Sequence, residues 1–293
     1  MKKNSMLELL KELGISNEES FEMLHGKVRD REDVKVLRCK RSGVIILDRT
    51  DHISEKHYSS MEDLSYWATR SLSQARKETY EDDQRRADQF RSFIKGRVWL
   101  DFGTGAGGIL ELLSKSAKEI YAVELQKGAR EQLTSERYKV YEDIKDIPCD
   151  NLEVVTLFHV LEHLPDPVKV LTGIRKKMAD SGKIIIEVPH ANDFLISFLE
   201  LEQFREHSFW SEHLILHTRQ SLKALMEKSG FRNVAIEGFQ RYPLSNHLYW
   251  LCKGKPGGHK EWSQLNTKDL TESYGRTLNA LDMTDTLICI AEK

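Results

Sequence analysis

The chain has 293 residues, with 44 Lys and Arg against 46 Asp and Glu, and its formal net charge is −2. This balance gives no electrostatic basis for nucleic-acid binding, and the lack of an apolar run of about 18 residues predicts no membrane span. The N-terminus enters a polar segment without an apolar core, so no signal peptide is expected. Four scattered cysteines favour free thiols, and we expect a soluble cytoplasmic protein.

The N-terminal region, residues 1–57, is predicted to be an accessory unit. Residues 1–25 have helical spacing with leucines on one face, and Ser16 is a suitable cap for a second helix. Apolar residues at 34–39 and 44–47 predict a β-hairpin.

Residues 58–95 combine aromatic and charged side chains. We expect one or two helices that lead into the core and lie over a ligand pocket, with most of the aromatic rings packed as core. These rings are Tyr58, Tyr66, Trp67, Tyr80 and Phe90. The segment is therefore predicted to be a helical lid and linker.

Residues 98–107, VWLDFGTGAG, predict a short apolar strand that runs into three glycines at alternate positions. Glycine lets the backbone turn sharply with positive φ and leaves room for a ligand against the main chain. Asp101 stands at the tip of the strand, just before the first glycine. A dinucleotide site seats a pyrophosphate at such a turn, where a carboxylate is unfavourable, so the motif favours a cationic or zwitterionic ligand.

Helices alternate with strands after this turn, which predicts an α/β fold. A helix over residues 109–118 precedes a strand over 119–123, and Glu124 at its end suits a ribose diol. Further strands are predicted at 138–141, 152–158 and 183–189, the last preceded by a turn at Ser181 and Gly182.

The C-terminal third predicts one more helix and a final strand pair. The helix covers residues 218–231 and ends at Gly230. Residues 234–236 and 286–290 are expected to pair antiparallel, with an insertion over about 243–282 between them. Such a long connection is usually functional or disordered, and its many aromatic residues argue against disorder.

These segments, in this order, resemble the class I S-adenosylmethionine-dependent methyltransferases, whose first motif is D-x-G-x-G-x-G. Residues 143–148, DIKDIP, are similar to a second family segment, and residues 160–167, VLEHLPDP, to a third. The resemblance implies a Rossmann-like seven-stranded sheet within a domain over residues 96–293, and S-adenosyl-L-methionine as the cofactor. It assigns cofactor binding to Asp101, Gly103, Thr104, Gly105, Gly107, Glu124, Leu125, Asp143, Ile144 and His159.

Two further features resemble sugar methyltransferases of surface polysaccharide pathways. Residues 39–43, CKRSG, look like the knuckle of a zinc ribbon without its second cysteine, and because structural zinc needs four ligands we predict no metal. Residues 210–217, WSEHLILH, are similar to the Y-H-E-H-x-x-Y-F-S segment of sugar C-methyltransferases, with Trp210 and His217 as departures. These departures argue against transfer to carbon. His213 remains the first candidate for a general base, or a histidine that orients the loop.

His163 is the second catalytic candidate, because it follows the fourth strand close to where the methyl group should emerge. In ubiquinone-pathway O-methyltransferases the related stretch E-M-L-E-H gathers a metal. Here His159 replaces the first acid. The residues His159, Glu162 and His163 could bind a divalent ion, or they could be the start of a helix.

The insertion offers candidate acceptor contacts. Residues 253–260, KGKPGGHK, are basic and rich in glycine, so they could hold a phosphate or form a solvated turn. Nearby aromatic side chains could stack on a sugar ring. The full candidate set for substrate binding is Trp210, His217, His247, Tyr249, Lys253 and Lys255.

We therefore predict methyl transfer from S-adenosylmethionine to a hydroxyl or amine of a sugar, nucleotide-sugar or glycan, without a nucleic-acid partner. A homodimer is compatible with the sequence. The alternatives are a quinone-type small-molecule O-methyltransferase, a non-catalytic cofactor-binding subunit and a nicotinamide dehydrogenase. The intact Asp101 and glycine motif disfavour the last two.

Overall fold

A computed structural model describes residues 4–53 and 71–293, which fold around two β-sheets. The strands are β1 (Phe21–His25), β2 (Val36–Cys39), β3 (Ile45–Leu47), β4 (Val98–Phe102), β5 (Glu119–Val123), β6 (Val140–Tyr141), β7 (Leu152–Phe158), β8 (Met178–Pro189), β9 (Ile215–Leu216), β10 (Arg232–Phe239) and β11 (Thr286–Glu292). The helices are α1 (Ser5–Glu12), α2 (Leu72–Ile94), α3 (Gly108–Leu113), α4 (Lys127–Ser135), α5 (Pro167–Lys177), α6 (Glu202–Ser208), α7 (Arg219–Lys228), α8 (Leu244–Lys253), α9 (Gly258–Glu261) and α10 (Lys268–Ala280).

The larger sheet has seven strands in the order β10–β11–β8–β7–β4–β5–β6. Its strands are parallel except β11, which runs antiparallel to both β8 and β10. The central strands β7 and β8 are mostly apolar because helices cover both faces of such a sheet. The predicted Rossmann-like seven-stranded sheet and its final antiparallel pair are therefore confirmed. The strand order reverses between β4 and β7, which opens a crevice beyond their carboxyl ends.

The smaller sheet joins the N-terminal region to the rest of the chain. Its order is β1–β2–β3–β9, so the predicted hairpin of β2 and β3 is confirmed. The fourth strand comes from much later in the sequence: Ile45 pairs with Leu216 and Ile46 with Ile215, antiparallel. Apolar residues of α1, β2 and β3 belong to the same buried cluster as residues of β4, β7 and β8. The N-terminal region thus shares one hydrophobic core with the larger sheet.

The prediction of a second N-terminal helix after Ser16 is wrong. Gly14, at φ +68°, follows α1, and a 3₁₀ turn over Glu18–Ser20 leads into β1. Residues of β1 pair with β2, so a tertiary contact overrides the weak helical spacing of this segment. The turn predicted at Ser181 and Gly182 is also wrong, because both residues lie inside β8.

The predicted lid and insertion are helical where the structure describes them. Helix α2 covers most of the second half of the lid, whereas Tyr58, Tyr66 and Trp67 lie outside the described residues. The insertion folds into α8, α9 and α10. Within residues 4–53 and 71–293, no helix has the length and apolar character needed to cross a membrane.

Candidate active site

A cavity of 1590 Å³ opens at the carboxyl edge of the larger sheet. Its walls include the ends of β4, β5, β7 and β8, one side of α2, the segment before β9 and part of α8. Ligands of open parallel sheets bind in this crevice, because connecting loops from several strands converge there. The fold therefore places most of the predicted cofactor residues, and two of the six predicted acceptor residues, around one volume.

The glycine turn after β4 forms the floor of the cavity. Gly103, Gly105 and Gly107 have φ angles of +75°, +55° and +73°. A Cβ atom at Gly103 would lie 2.5 Å from a methyl group of Val160, so a side chain has no room there. Gly107 precedes α3 and is not among the lining residues, whereas Gly103, Thr104 and Gly105 are.

Asp101 lies at the end of β4, beside this turn. The hydroxyl of Thr156 donates to Asp101 Oδ1 at 2.7 Å. Burial raises the pKa of Asp101 to about 6, against the opposing effect of that hydrogen bond. Asp101 still carries a negative charge at neutral pH, and an ammonium group beside it would stabilise that charge.

Glu124 closes the turn from the neighbouring strand β5. Its two carboxylate oxygens accept the backbone N–H groups of Gly105, at 2.7 Å, and Gln126, at 2.8 Å. The side-chain oxygen of Gln126 is buried and accepts no hydrogen bond within the described chain. A hydroxyl-bearing ligand in this part of the cavity would supply the missing donor.

The next loop continues the same wall. Asp143 and Ile144 line the cavity after β6, and Asp143 Oδ1 accepts the backbone N–H of Lys145 at 3.0 Å. Leu125 and His159 line it as well. These groups fit an elongated ligand. Asp101 at β4 would face a cationic end, Glu124 at β5 would face a diol, and Asp143 with the backbone amide of Ile144 would face a purine.

Buried ion pairs attach α2 over this cavity. Glu187 at the end of β8 is fully buried and accepts hydrogen bonds from Arg85 Nη2, at 2.8 Å, and Arg86 Nη2, at 2.7 Å. Asp82 pairs with Arg241, which follows β10. Burial opposes the charge on Asp82, but Arg241 lowers the pKa of that carboxyl to about 2. Sequence reasoning missed this network because Asp82 and Arg241 are 159 positions apart.

Glu162, His163 and His213 form a cluster at the cavity, which His163 and His213 line. One ligand-type atom from each lies within 4.8 Å of the others, and the two imidazole rings are 4.9 Å apart. The hydrogen bond from His159 lowers the pKa of Glu162 to about 2, although burial opposes it. The second oxygen of Glu162 is buried without a hydrogen-bond partner in the described residues.

His213 is a neutral imidazole at physiological pH. Burial, together with the nearby His163, lowers the pKa of His213 to about 3. Burial also lowers the pKa of His163. Both rings therefore offer lone pairs, either to a hydroxyl proton or to a metal ion.

The acceptor side of the cavity is aromatic and polar. Trp210, His213 and His247, all singled out in the sequence, line it. Asn246, Trp250 and His259 belong to stretches that the sequence analysis singled out, whereas other lining residues carried no recognisable sequence signal: Arg29, Asp82, Arg86, His190, Asp193, Arg241 and Asp285. They lie in irregular segments or in helices whose exposed face cannot be known before the fold.

Four of the predicted substrate residues are not among the described lining residues. His217 is fully buried, and its Nδ1 lies 3.0 Å from the hydroxyl of Ser221. Tyr249 packs edge-on against Trp262, with ring centroids 5.0 Å apart. Lys253 ends α8, and Lys255 lies in the turn that follows it.

Comparison with known proteins agrees with this geometry. A ubiquinone biosynthesis O-methyltransferase from Photobacterium profundum is 22% identical over 175 residues, which cover 54% of this chain and 73% of that protein. A protein of the same description from Aeromonas salmonicida is 25% identical over 167 residues, covering 52% of this chain and 70% of that protein.

Solved structures show the same fold. A chain of the complex between the Haloferax volcanii Trm112 methyltransferase activator and a methyltransferase matches with a TM-score of 0.53 at 15% identity, over 79% of this chain and 97% of that chain. A family model described as a methyltransferase domain matches residues 71–236, more than half of the chain. The chain therefore belongs to this methyltransferase family, and S-adenosylmethionine is a cofactor that the geometry of the cavity fits.

Proposed function

We propose that the enzyme methylates a hydroxyl, or an amine, of a sugar, nucleotide-sugar or glycan. The observation that carries this proposal is the mixture of aromatic rings and hydrogen-bonding groups on the acceptor side of the cavity. Trp210 and Trp250 contribute aromatic rings to this wall and Asn246 contributes a side-chain amide, whereas both ring nitrogens of His247 already contact Tyr274 and Gln240. A sugar needs both kinds of group, because its ring has apolar faces and a hydroxyl-bearing rim.

The acceptor side lies largely outside the segment that the methyltransferase family shares. The family match ends at residue 236, whereas Asn246, His247 and Trp250 belong to the insertion and Arg29 to the N-terminal region. Family membership therefore does not identify the acceptor, and we infer its chemical class from these side chains.

The cofactor, when bound, supplies a methyl group activated by a sulfonium. The protein has to align the acceptor oxygen with that methyl group and remove its proton. We assign the second task to His213, because its neutral imidazole has a lone pair that can accept a hydrogen bond from an acceptor hydroxyl. The ionised Glu162, fully buried beside it, would stabilise the imidazolium that forms. Glu162 thereby opposes part of the lowering of the His213 pKa that burial causes.

The test is formation of S-adenosylhomocysteine by the purified enzyme with a panel of nucleotide-sugars and free glycans. We expect turnover that depends on one member of the panel, with the methylated sugar identified by mass spectrometry. Turnover with small phenolic acceptors and none with any sugar would refute the proposal.

A second candidate is a quinone-type small-molecule O-methyltransferase. The curated relatives carry that description, and Glu162, His163 and His213 include the ligand types that a divalent ion accepts. The unpartnered oxygen of Glu162 fits such an ion, which would make the acceptor hydroxyl more acidic when bound. This function predicts that a chelator abolishes methylation of a catechol and that magnesium or zinc restores it. Chelator-resistant methylation of a sugar would exclude it.

A further inference from the structure

A tight turn in the N-terminal region reaches into the acceptor cavity. Val28 and Arg31 pair antiparallel, each donating its backbone N–H to the carbonyl of the other at 3.2 Å. Arg29 and Asp30 therefore occupy the two central positions of the turn. Arg29 lines the cavity, although it lies more than 40 positions before the segment matched by the family.

The turn is fixed to the loop that carries Trp210 and His213. The backbone N–H of Arg29 donates to the carbonyl of Phe209 at 2.9 Å. Asp30 accepts from Ser211 twice, from its backbone N–H at 3.0 Å and from its hydroxyl at 2.5 Å. A carboxylate that accepts two hydrogen bonds from one residue restrains both position and orientation. Asp30 is therefore a positioning residue for this loop.

The guanidinium of Arg29 contacts an aromatic ring and a backbone carbonyl, but it forms no ion pair with a described carboxylate. Its central carbon lies 4.6 Å from the ring centroid of Trp210, and Nη1 lies 3.4 Å from the carbonyl oxygen of His207. No carboxylate within residues 4–53 and 71–293 pairs with it, whereas two other arginines of the same cavity, Arg86 and Arg241, pair with Glu187 and Asp82. Arg29 thus brings a positive charge to the acceptor wall.

We propose that Arg29 binds an anionic group of the acceptor, a phosphate or a carboxylate, while Trp210 packs against the adjoining ring. This inference rests on the proposed methylation of a sugar-type acceptor. Arginine suits the task because its planar guanidinium presents several N–H donors in a fixed fork and binds such anions in bidentate fashion. Stacking on Trp210 pre-orients the fork, so less freedom is lost on binding. The anion subsite predicted at Lys253 and Lys255 is replaced in this proposal by Arg29.

The experiment is calorimetric titration of the protein saturated with S-adenosylhomocysteine. The probes are glucose 1-phosphate, glucuronate and uncharged glucose, which separate a phosphate from a carboxylate and both from the bare ring. Arg29→Gln is compared with Arg31→Gln, a matched charge removal in the same turn. Arg31 pairs with Asp33 at 2.9 Å and 2.8 Å and does not line the cavity. Thermal unfolding of each variant checks that it is folded.

We expect one anionic probe to bind more tightly than glucose, and Arg29→Gln to weaken that binding about ten-fold or more while Arg31→Gln leaves it unchanged. Arg29→Lys should recover only part of the affinity, because it keeps the charge and loses the fork. The proposal is overturned if neither anion binds better than glucose, or if both glutamine variants weaken binding equally. Failure of the unmodified protein to bind S-adenosylhomocysteine would instead contradict the cofactor assignment.

Discussion

Replacing Glu187 with glutamine should destabilise the protein strongly. Glu187 is fully buried at the end of β8, and Arg86, which is 8% exposed, depends on its charge. Removing one member of a buried ion pair costs about 3–5 kcal/mol, because the remaining charge is left unpaired. Glutamine keeps one oxygen that can accept from an arginine, so we expect a loss of about 3 kcal/mol, near the lower end of that range.

The measurement is the free energy of unfolding from urea titration, supported by Tm. A loss of about 3 kcal/mol should lower Tm by about 6 °C or more in a chain of this size. Glu131→Gln is the matched control, since it removes the same charge from an exposed pair with Lys127 at 3.7 Å. The control should leave the unfolding free energy unchanged. Equal stabilities of the two variants would show that the arginines do not depend on Glu187.

The pair of Glu187 and Arg86 also predicts how the stability of the protein depends on pH. Burial alone would raise the pKa of Glu187, but Arg86, His159 and Arg85 together hold that pKa well below its usual range. A carboxylate whose pKa is lowered on folding stabilises the protein above its unfolded pKa, about 4.3, and loses that contribution as pH falls further. The difference in stability between the unmodified protein and Glu187→Gln should therefore narrow below about pH 4. A difference that widened in acid would contradict this assignment.

Three further predictions concern the cavity. Asp101→Asn should weaken binding of S-adenosylhomocysteine about ten-fold or more. Because the pKa of Asp101 is about 6, the affinity of the unmodified protein for this ligand should also fall as the pH is lowered through that value. An affinity that does not change with pH would refute the role of Asp101. Gly103→Ala should reduce both stability and binding of S-adenosylhomocysteine more than Gly96→Ala. Both glycines have positive φ, but only at Gly103 would a Cβ atom press against Val160. Calorimetry and thermal unfolding measure the two effects, and equal losses in the two variants would contradict the prediction. His213→Ala should lower turnover by about 10²–10⁴-fold at unchanged cofactor affinity, and a rate near normal would leave the residue only a structural role.

The cofactor half of the molecule could be predicted because its signals are local. A few neighbouring residues specify each of three features: the strand that carries Asp101, the positive φ angles of Gly103 and Gly105, and the acid at Glu124. Parallel strands then bring their carboxyl ends to one edge without any further information.

The proposed acceptor half could be predicted only at Trp210, His213 and His247, because the rest of it depends on pairings between distant segments. Strand β9 has only two residues and no periodic pattern, and it exists because Ile45 and Ile46 offer an open edge to it. The misassigned segment at 18–25 failed for the same reason, since its strand is stabilised by β2 and not by local propensity. A pairing such as Asp82 with Arg241 leaves no trace in either local sequence.

The cavity is built from two parts of the chain, the segment matched by the family model and the segments outside it. Residues 71–236 include the sheet edge and the glycine turn that line the proposed cofactor side of the cavity. The loop with Trp210 and His213 belongs to the same range, but its position depends on the turn of Arg29 and Asp30 and on the β3–β9 pairing. Substitutions in the N-terminal region can therefore change acceptor recognition and the alignment of His213 without touching the cofactor floor. The proposed acceptor side thus combines Trp210 and His213 from the matched segment with Arg29, Asn246 and Trp250 from outside it.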